Sequence, residues 1–318
     1  MLKFALLLCS FLTAGTVLAQ SYPSRPITMV LPYPPGGTTD AVGRLTAKRL
    51  EAALGTPVVI ENKSGASGTI GSDFVRRAAP DGYTLLFNAS IFVIGKSVLK
   101  AVPYDPVTDF TPLARVGHTP LVLLVNPGVP AGNLKELLAA AKARPSDFNF
   151  ANSAAGSAGH LATIEFNHES GLALPIVTYR GSAQALTDLI GGHVQLMIDP
   201  PAIALPHVKA GKLKALAVTS ATRLNNAPDV PTAAEAGMPG LIRSSWYGVW
   251  GPQRLPEAVL KRLDIAFAVL DRDEEFKRQL AVIGVEPLHE GRKDFNSFVA
   301  VDAARNDALL KSIGVLPE

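Results

Sequence analysis

The chain predicts an α/β fold in two lobes with a ligand cleft between them. Short apolar runs alternate with segments of helical spacing in a β-α-β-α-β order, and a second β/α series follows the first. That order implies a mostly parallel sheet with helices on its faces. No low-complexity linker or short-period repeat separates the two series, so the lobes are expected to be joined by crossing strands rather than tethered. The 318 residues suffice for one large or two modest domains with ample core. The expected division is residues 20–118 for the first part of lobe 1, 119–246 for lobe 2, and 247–318 for a return to lobe 1 with C-terminal helices. Ligands of such sheets bind at strand ends.

Residues 1–19 read as a secretory signal peptide. Lys3 is the positive start, Phe4 to Leu12 the apolar stretch, and Val17-Leu18-Ala19 a small-residue cleavage site, with cleavage expected after Ala19. Cys9, the single cysteine, lies inside this segment without the surroundings of a lipoprotein site, so the mature chain is expected to have no disulfide. No later run is long and apolar enough for a membrane span, and the mature chain is expected to be soluble and exported. The net charge is only +3, with no basic cluster interleaved with aromatics, so nucleic acid is not an expected partner.

The first strand is expected over 27–31. Pro34 and Pro35 stop it, and Gly36-Gly37 lets the backbone turn and come close to a guest. Thr38, Thr39 or Asp40 caps a helix over 39–54 whose apolar face carries Val42, Leu45, Leu50, Ala53 and Leu54, and Gly55 suits its C-terminal cap. A strand over 58–60, a small-residue loop over 61–71, a helix ending near Ala79, the turn Pro80-Asp81-Gly82 and a strand over 83–87 complete the first series. Residues 101–112 are rich in proline and turn residues.

The apolar run 121–125 opens the second series. Asn133 with Glu136 has capping-box spacing and starts a helix. Strands follow at 148–151, 176–178, 194–198 and 213–218, with helices from about Ser157, over 182–190 and over 203–210. Thr232 with Glu235 forms another capping box. Residues 245–250 read as a strand, and 256–270, 274–283 and 294–313 as helices.

Loops over 34–40, 64–71, 152–160 and 179–182 each follow a strand and precede a helix, and are built largely from Gly, Ser, Thr, Ala and Asn. Such loops present backbone N–H groups at helix starts, which favours a small anion. Gly65-Ala66-Ser67-Gly68-Thr69-Ile70-Gly71 is not the dinucleotide pattern, and no P-loop lysine closes any of these loops, so no nucleotide cofactor is expected. The six histidines show no metal-binding spacing, and no metal is expected. Ala155-Gly156-Ser157-Ala158-Gly159 departs by one residue from a nucleophile elbow, with His160 close by. An exported serine hydrolase using Ser157 is therefore the rival reading, against a helix start that contacts a ligand. Asp199, at a strand end before Pro200-Pro201, can accept a hydrogen bond from a ligand or cap a turn. Arg180 can pair with a ligand carboxylate or with a surface acid. Trp246 and Tyr247 are cleft, hinge or core residues.

Over nearly all of its mature length the chain resembles the extracytoplasmic solute receptors of tripartite tricarboxylate transporters, the Bug family. The resemblance is carried by Tyr22-Pro23-Ser24-Arg25-Pro26-Ile27, Pro34-Pro35-Gly36-Gly37 with Asp40, Val58-Val59-Ile60-Glu61-Asn62 with Gly65, Ala66 and Gly68, Pro80-Asp81-Gly82-Tyr83-Thr84-Leu85-Leu86, Tyr179-Arg180-Gly181-Ser182, Gly211-Lys212-Leu213-Lys214-Ala215-Leu216-Ala217, and Pro228-Asp229-Val230-Pro231-Thr232 before Glu235-Ala236-Gly237. It implies a type II-like periplasmic binding fold that closes like a clamshell on a small organic carboxylate (a di- or tricarboxylate, amino acid or aromatic acid) and passes it to membrane permease subunits. It implies no reaction, a monomer and no cofactor; a stand-alone carboxylate sensor is the variant without a permease. One ligand carboxylate would be held by Tyr33, Gly36, Gly37 and Thr38 and by residues 152–157, among them Asn152, Ser153, Gly156 and Ser157. Tyr179, Arg180, Gly181, Ser182 and Asp199 would line the rest, and Asp40, Ser90 and His160 complete the expected set. Tyr33 stands where relatives often have Phe, and Ser90 lies in a variable stretch.

Overall fold

The computed structural model describes residues 22–312 and 317; the expected signal peptide lies outside the described residues. In chain order the elements are β1 (Ile27–Leu31), α1 (Thr38–Leu54), β2 (Val58–Asn62), α2 (Thr69–Arg76), β3 (Thr84–Ala89), α3 (Ile91–Val98), β4 (Phe110–Pro120), β5 (Val122–Val125), α4 (Leu134–Ala143), β6 (Phe150–Asn152), α5 (Ala158–Ser170), β7 (Ile176–Thr178), α6 (Ser182–Gly191), β8 (Leu196–Asp199), α7 (Pro201–Lys209), β9 (Lys214–Val218), β10 (Ser244–Pro252), α8 (Glu257–Asp271), α9 (Glu274–Val282), β11 (Glu286–Gly291) and α10 (Arg292–Ser312).

Two sheets result: six strands in the order β11-β4-β10-β3-β1-β2, and five in the order β7-β6-β8-β5-β9. Both are mixed, where a mostly parallel sheet was expected. β1 runs parallel to β2 and β3, but β10 lies antiparallel between β3 and β4, and β5 lies antiparallel to β8 and β9. The crossings explain the difference. Only Leu121 separates β4 from β5, so one extended run passes from sheet to sheet without a helical crossover to restore its direction. The chain returns through β10. Buried Thr219 ties the two crossings together: its N–H donates to the Leu121 carbonyl at 2.9 Å, its hydroxyl accepts from the Leu121 N–H at 2.8 Å, and its carbonyl accepts from the Arg243 N–H at 3.1 Å.

Three elements were not anticipated. α3 is largely buried and begins with the continuous apolar run Ile91 to Gly95, so it shows little amphipathic period to read. β4 contains Pro112 and Pro120, and β11 is a polar edge strand containing Pro287, and proline within a strand mimics a turn. The Asn133 box caps α4, the Glu136 N–H donating to Asn133 Oδ1 at 2.9 Å. The Thr232–Glu235 box closes reciprocally at 2.8 and 3.1 Å around a turn that does not become a helix.

Apolar clusters cover both faces of each sheet. One crosses between them: Leu161 of α5 packs with Phe92, Trp246 and Phe295, which belong to the six-stranded side. Beside this seam the Arg243 guanidinium pairs with Glu165 of α5 and donates to Asn306 of α10 at 3.1 Å.

Candidate functional site

A cavity of about 280 Å³ lies where the ends of β1, β3, β6, β8 and β10 meet the starts of α1, α5 and α6. Residues from both sheets line it. The two sides meet around the rim: a Cβ built on Gly36 would lie 3.9 Å from Ala183 Cβ, and one built on Gly181 would lie 3.6 Å from Pro34 Cδ.

The loop after β1 supplies Tyr33, Gly37, Thr38 and Asp40 to the wall. Asp40 is the brace of this loop. Its carboxylate accepts from the Gly36 N–H at 3.2 Å, Arg44 Nε at 2.8 Å and Asn62 Nδ2 at 3.0 Å. Burial opposes its charge, but these bonds outweigh burial and hold the carboxyl below its usual range. Gly36 has φ +90°, which an L side chain rarely adopts. Gly37, and not Thr38, Thr39 or Asp40 as expected, is the N-cap of α1, with no side-chain cap; it has φ −88°, and a Cβ there would meet nothing within 4 Å. Tyr33 donates its phenol proton to Asn88 Oδ1 at 2.9 Å. Ser90, after β3, also lines the cavity, and its N–H donates to the Trp246 carbonyl.

The loop after β6 supplies Ser153 and Ser157. Asn152 is buried behind it and shapes it, with Oδ1 accepting from Ser157 Oγ at 2.8 Å and the Ala154 N–H at 3.2 Å. Ser157 Oγ in turn accepts from the His160 backbone N–H at 3.0 Å, capping α5. His160 Nδ1 accepts from the Gly156 N–H at 2.9 Å. Ser157, the nucleophile of the rival reading, is thus a helix cap, and the neighbouring His160 imidazole is a loop tie. Gly156, at φ +81°, lies against Val98.

Arg180, Gly181 and Ser182 line the cavity before α6, and Arg180 is solvent-exposed. Tyr179 does not line it, because its hydroxyl donates to Asp188 Oδ2 at 2.7 Å. Of the expected residues, then, Gly36, Asn152, Gly156, His160 and Tyr179 build the loops from behind, and the others face the cavity.

Three buried groups with unused hydrogen-bonding capacity converge on this cavity. Thr38 Oγ1, Asp199 Oδ2 and Tyr247 Oη have no hydrogen-bond partner among the described residues. Their residues are 3 %, 1 % and 1 % exposed, and all line the cavity. A native interior leaves few such groups, since each costs about 1–3 kcal/mol. Burial pushes the Asp199 carboxyl up to about 7, against the pull of the Ser182 and Ser153 hydroxyls. Burial likewise raises the Tyr247 phenol, the nearby Ser245 hydroxyl opposes this, and the Asp199 charge adds to it. Ser245 was not among the expected site residues, and Tyr247 was expected only as a cleft, hinge or core residue. Their place follows from pairing of β10 with β3, which sets Tyr247 opposite Ala89, a long-range register that no local pattern reports.

Helix starts, short hydroxyls and buried unpartnered groups converge on one small space, an arrangement that suits an anionic group. No His, Cys, Asp and Glu cluster among the described residues is arranged to hold a metal ion. No described helix is long and apolar enough to cross a membrane.

Comparison with known proteins decides the relationship. Residues 42–315 match the family described as "Tripartite tricarboxylate transporter family receptor". The chain belongs to that receptor family. Among its relatives is Protein BugT of Bordetella pertussis, 36 % identical over 303 residues, spanning 95 % of this chain and 93 % of BugT. The periplasmic binding protein BugD has the same fold, with a TM-score of 0.89 and 34 % identity over 93 % of this receptor and 100 % of BugD. Rpa4515 from R. palustris, solved with adipate, gives a TM-score of 0.90 and 36 % identity over 93 % of this receptor and 100 % of that chain.

Proposed function

We propose that this receptor captures one small organic carboxylate in the cavity and delivers it to the membrane permease subunits of a tripartite tricarboxylate-type transporter. The observation that carries the reading is the set of unpartnered buried groups, Thr38 Oγ1, Asp199 Oδ2 and Tyr247 Oη, facing a space entered by the positive ends of α1, α5 and α6. The adipate of Rpa4515 supports a carboxylate guest. Residues 20–118 and 247–318 act as one lobe and 119–246 as the other, and they close over the ligand as a clamshell about the Thr219-tied crossings. The protein works as a periplasmic monomer without cofactor, exported by residues 1–19 and cleaved after Ala19, and it returns its ligand chemically unchanged. Ser157 is spent on Asn152 and His160 as a cap, which favours binding over hydrolysis.

A thermal-shift screen of the chain from residue 20 onward against di- and tricarboxylates, amino acids and aromatic acids tests this. A ligand at about 100 times its Kd adds about 2.7 kcal/mol, a rise of a few degrees in a chain of this size. A saturable shift from a carboxylate recovered intact is the expected result. Consumption of the compound, or a panel in which no carboxylate shifts the melting point, overturns the reading.

A further inference from the structure

Two acidic side chains line the cavity, and they are in opposite conditions. Asp40 has its carboxylate engaged by Gly36, Arg44 and Asn62. Asp199 is 1 % exposed and keeps Oδ2 unpartnered among the described residues. We propose that the bound ligand's carboxylate shares a proton with Asp199, so that the receptor takes up a proton on binding wherever Asp199 is ionised beforehand, and selects carboxylates that carry no ammonium group beside that carboxylate. This rests on the carboxylate reading above.

The charges around Asp199 support it. Its own strand β8 brings Leu196, Met197 and Ile198, and the neighbouring strands β5 and β6 bring no titratable group. On α5 the nearest titratable side chain along the helix is His160, whose Nδ1 is turned to the Gly156 N–H, and Glu165 is paired with Arg243. On α6 it is Asp188, bonded to Tyr179; α7 opens with Pro201 and carries His207 and Lys209 in its last turn. Across the cavity, β10 presents the Tyr247 phenol and Ser245, and α1 presents Asp40 with its Arg44 partner. Arg180 is the cation lining the cavity, and it is exposed. Burial therefore governs Asp199, opposed only by the Ser182 and Ser153 hydroxyls.

The helix starts nevertheless draw a ligand anion into the same space. Two carboxylates confined together away from water cannot both ionise cheaply, and one retained proton turns repulsion into a hydrogen bond. The proton comes from solvent and sits between a ligand oxygen and Asp199; no bond to carbon changes. An ammonium group against Asp199 would act in the opposite sense, ionising the carboxyl and releasing its proton. The sign of the proton change therefore separates the two ligand classes.

Isothermal calorimetry of the chain from residue 20 onward with adipate, malate, benzoate and L-aspartate, at about pH 6 and pH 8 in buffers of different ionisation enthalpy, reads that sign. The expected result, with the simple carboxylate that binds tightest, is uptake approaching one proton at pH 8 and little at pH 6, where free Asp199 already holds its proton. That ligand's affinity should be about tenfold weaker at the higher pH, as for a group near 7 that must first be protonated. Asp199→Asn should bind with no proton uptake and no pH dependence, since the neutral amide still donates. Equal affinity at both pH values, proton release, or tightest binding of L-aspartate overturns the inference while leaving a carboxylate receptor standing. Failure of every carboxylate to bind overturns the underlying reading as well. Should Asp199→Asn not fold, the wild-type proton count decides alone.

Discussion

Thr38 and Asp199 each place a buried polar atom where only a guest can use it. Thr38→Val keeps the shape and removes the unused hydroxyl. Stability should be unchanged or slightly higher, because nothing in the protein bonds that atom, whereas ligand affinity should fall about fivefold, the worth of one hydrogen bond of about 1 kcal/mol; melting curves with and without ligand check both. Asp199 has the opposite pH sign from most carboxylates. Burial raises its folded value to about 7, so above the ordinary carboxylate range near 4 the unfolded chain has lost a proton that the ligand-free native state keeps. The penalty grows as pH rises from about 4 to 7 and is then fully present. Asp199→Asn should therefore raise the melting temperature more at pH 8 than at pH 5, as scanning calorimetry at the two values would show; an equal effect at both would contradict the buried-charge account. Gly37→Val tests the loop backbone. Its φ of −88° and open surroundings predict a normal fold, and the added isopropyl group at the cavity wall should weaken binding at least tenfold by calorimetry.

At the scale of elements, the position of α5 against β8 governs the second half of the site. Gly159 makes that contact possible, since a Cβ there would lie 2.1 Å from the Ile198 carbonyl oxygen. Gly159→Ala must push the helix from the strand that carries Asp199 and should cost about 1–3 kcal/mol by denaturant titration, with weaker binding. Much at this scale was legible beforehand. The β1–α1 unit, the Asn133 cap, β7 and the helix start at Ser157 all follow from local chemistry: apolar runs, caps and small-residue loops. Where a signal was missing, the cause is physical. α3 opens with five successive buried residues, Ile91 to Gly95, which hide any helical stripe; β4 and β11 contain prolines; and the Thr232 box satisfies the same hydrogen bonds as a helix cap without one following. For the same reason the small-residue loops of the cavity could be found in the sequence, while Tyr247, delivered by a strand from far along the chain, could not be separated from core. Asn152, His160 and Tyr179 have the right chemistry in the right loops but turn it toward the protein.

For the whole molecule, the mixed sheets are the consequence of a chain that crosses between them twice, and the cavity lies where those sheets face each other. Arg243, at the return crossing, joins Glu165 of α5 to Asn306 of α10, and Trp246 beside it donates to Asp302 at 3.2 Å. Arg243→Ala should leave Glu165 half-buried and unpaired and lower the melting temperature by several degrees, an effect of about 1–3 kcal/mol. The central claim is that one small carboxylate sits among Thr38, Asp199 and Tyr247. A crystal structure of the chain from residue 20 onward, grown near pH 6 with the tightest-binding carboxylate of the screen, measures this directly. The account predicts a ligand carboxylate within hydrogen-bond distance of Thr38 Oγ1, Tyr247 Oη and the Asp199 carboxyl, with α1, α5 and α6 starting around it. A ligand bound elsewhere, or one that leaves those three groups unpartnered, would contradict it.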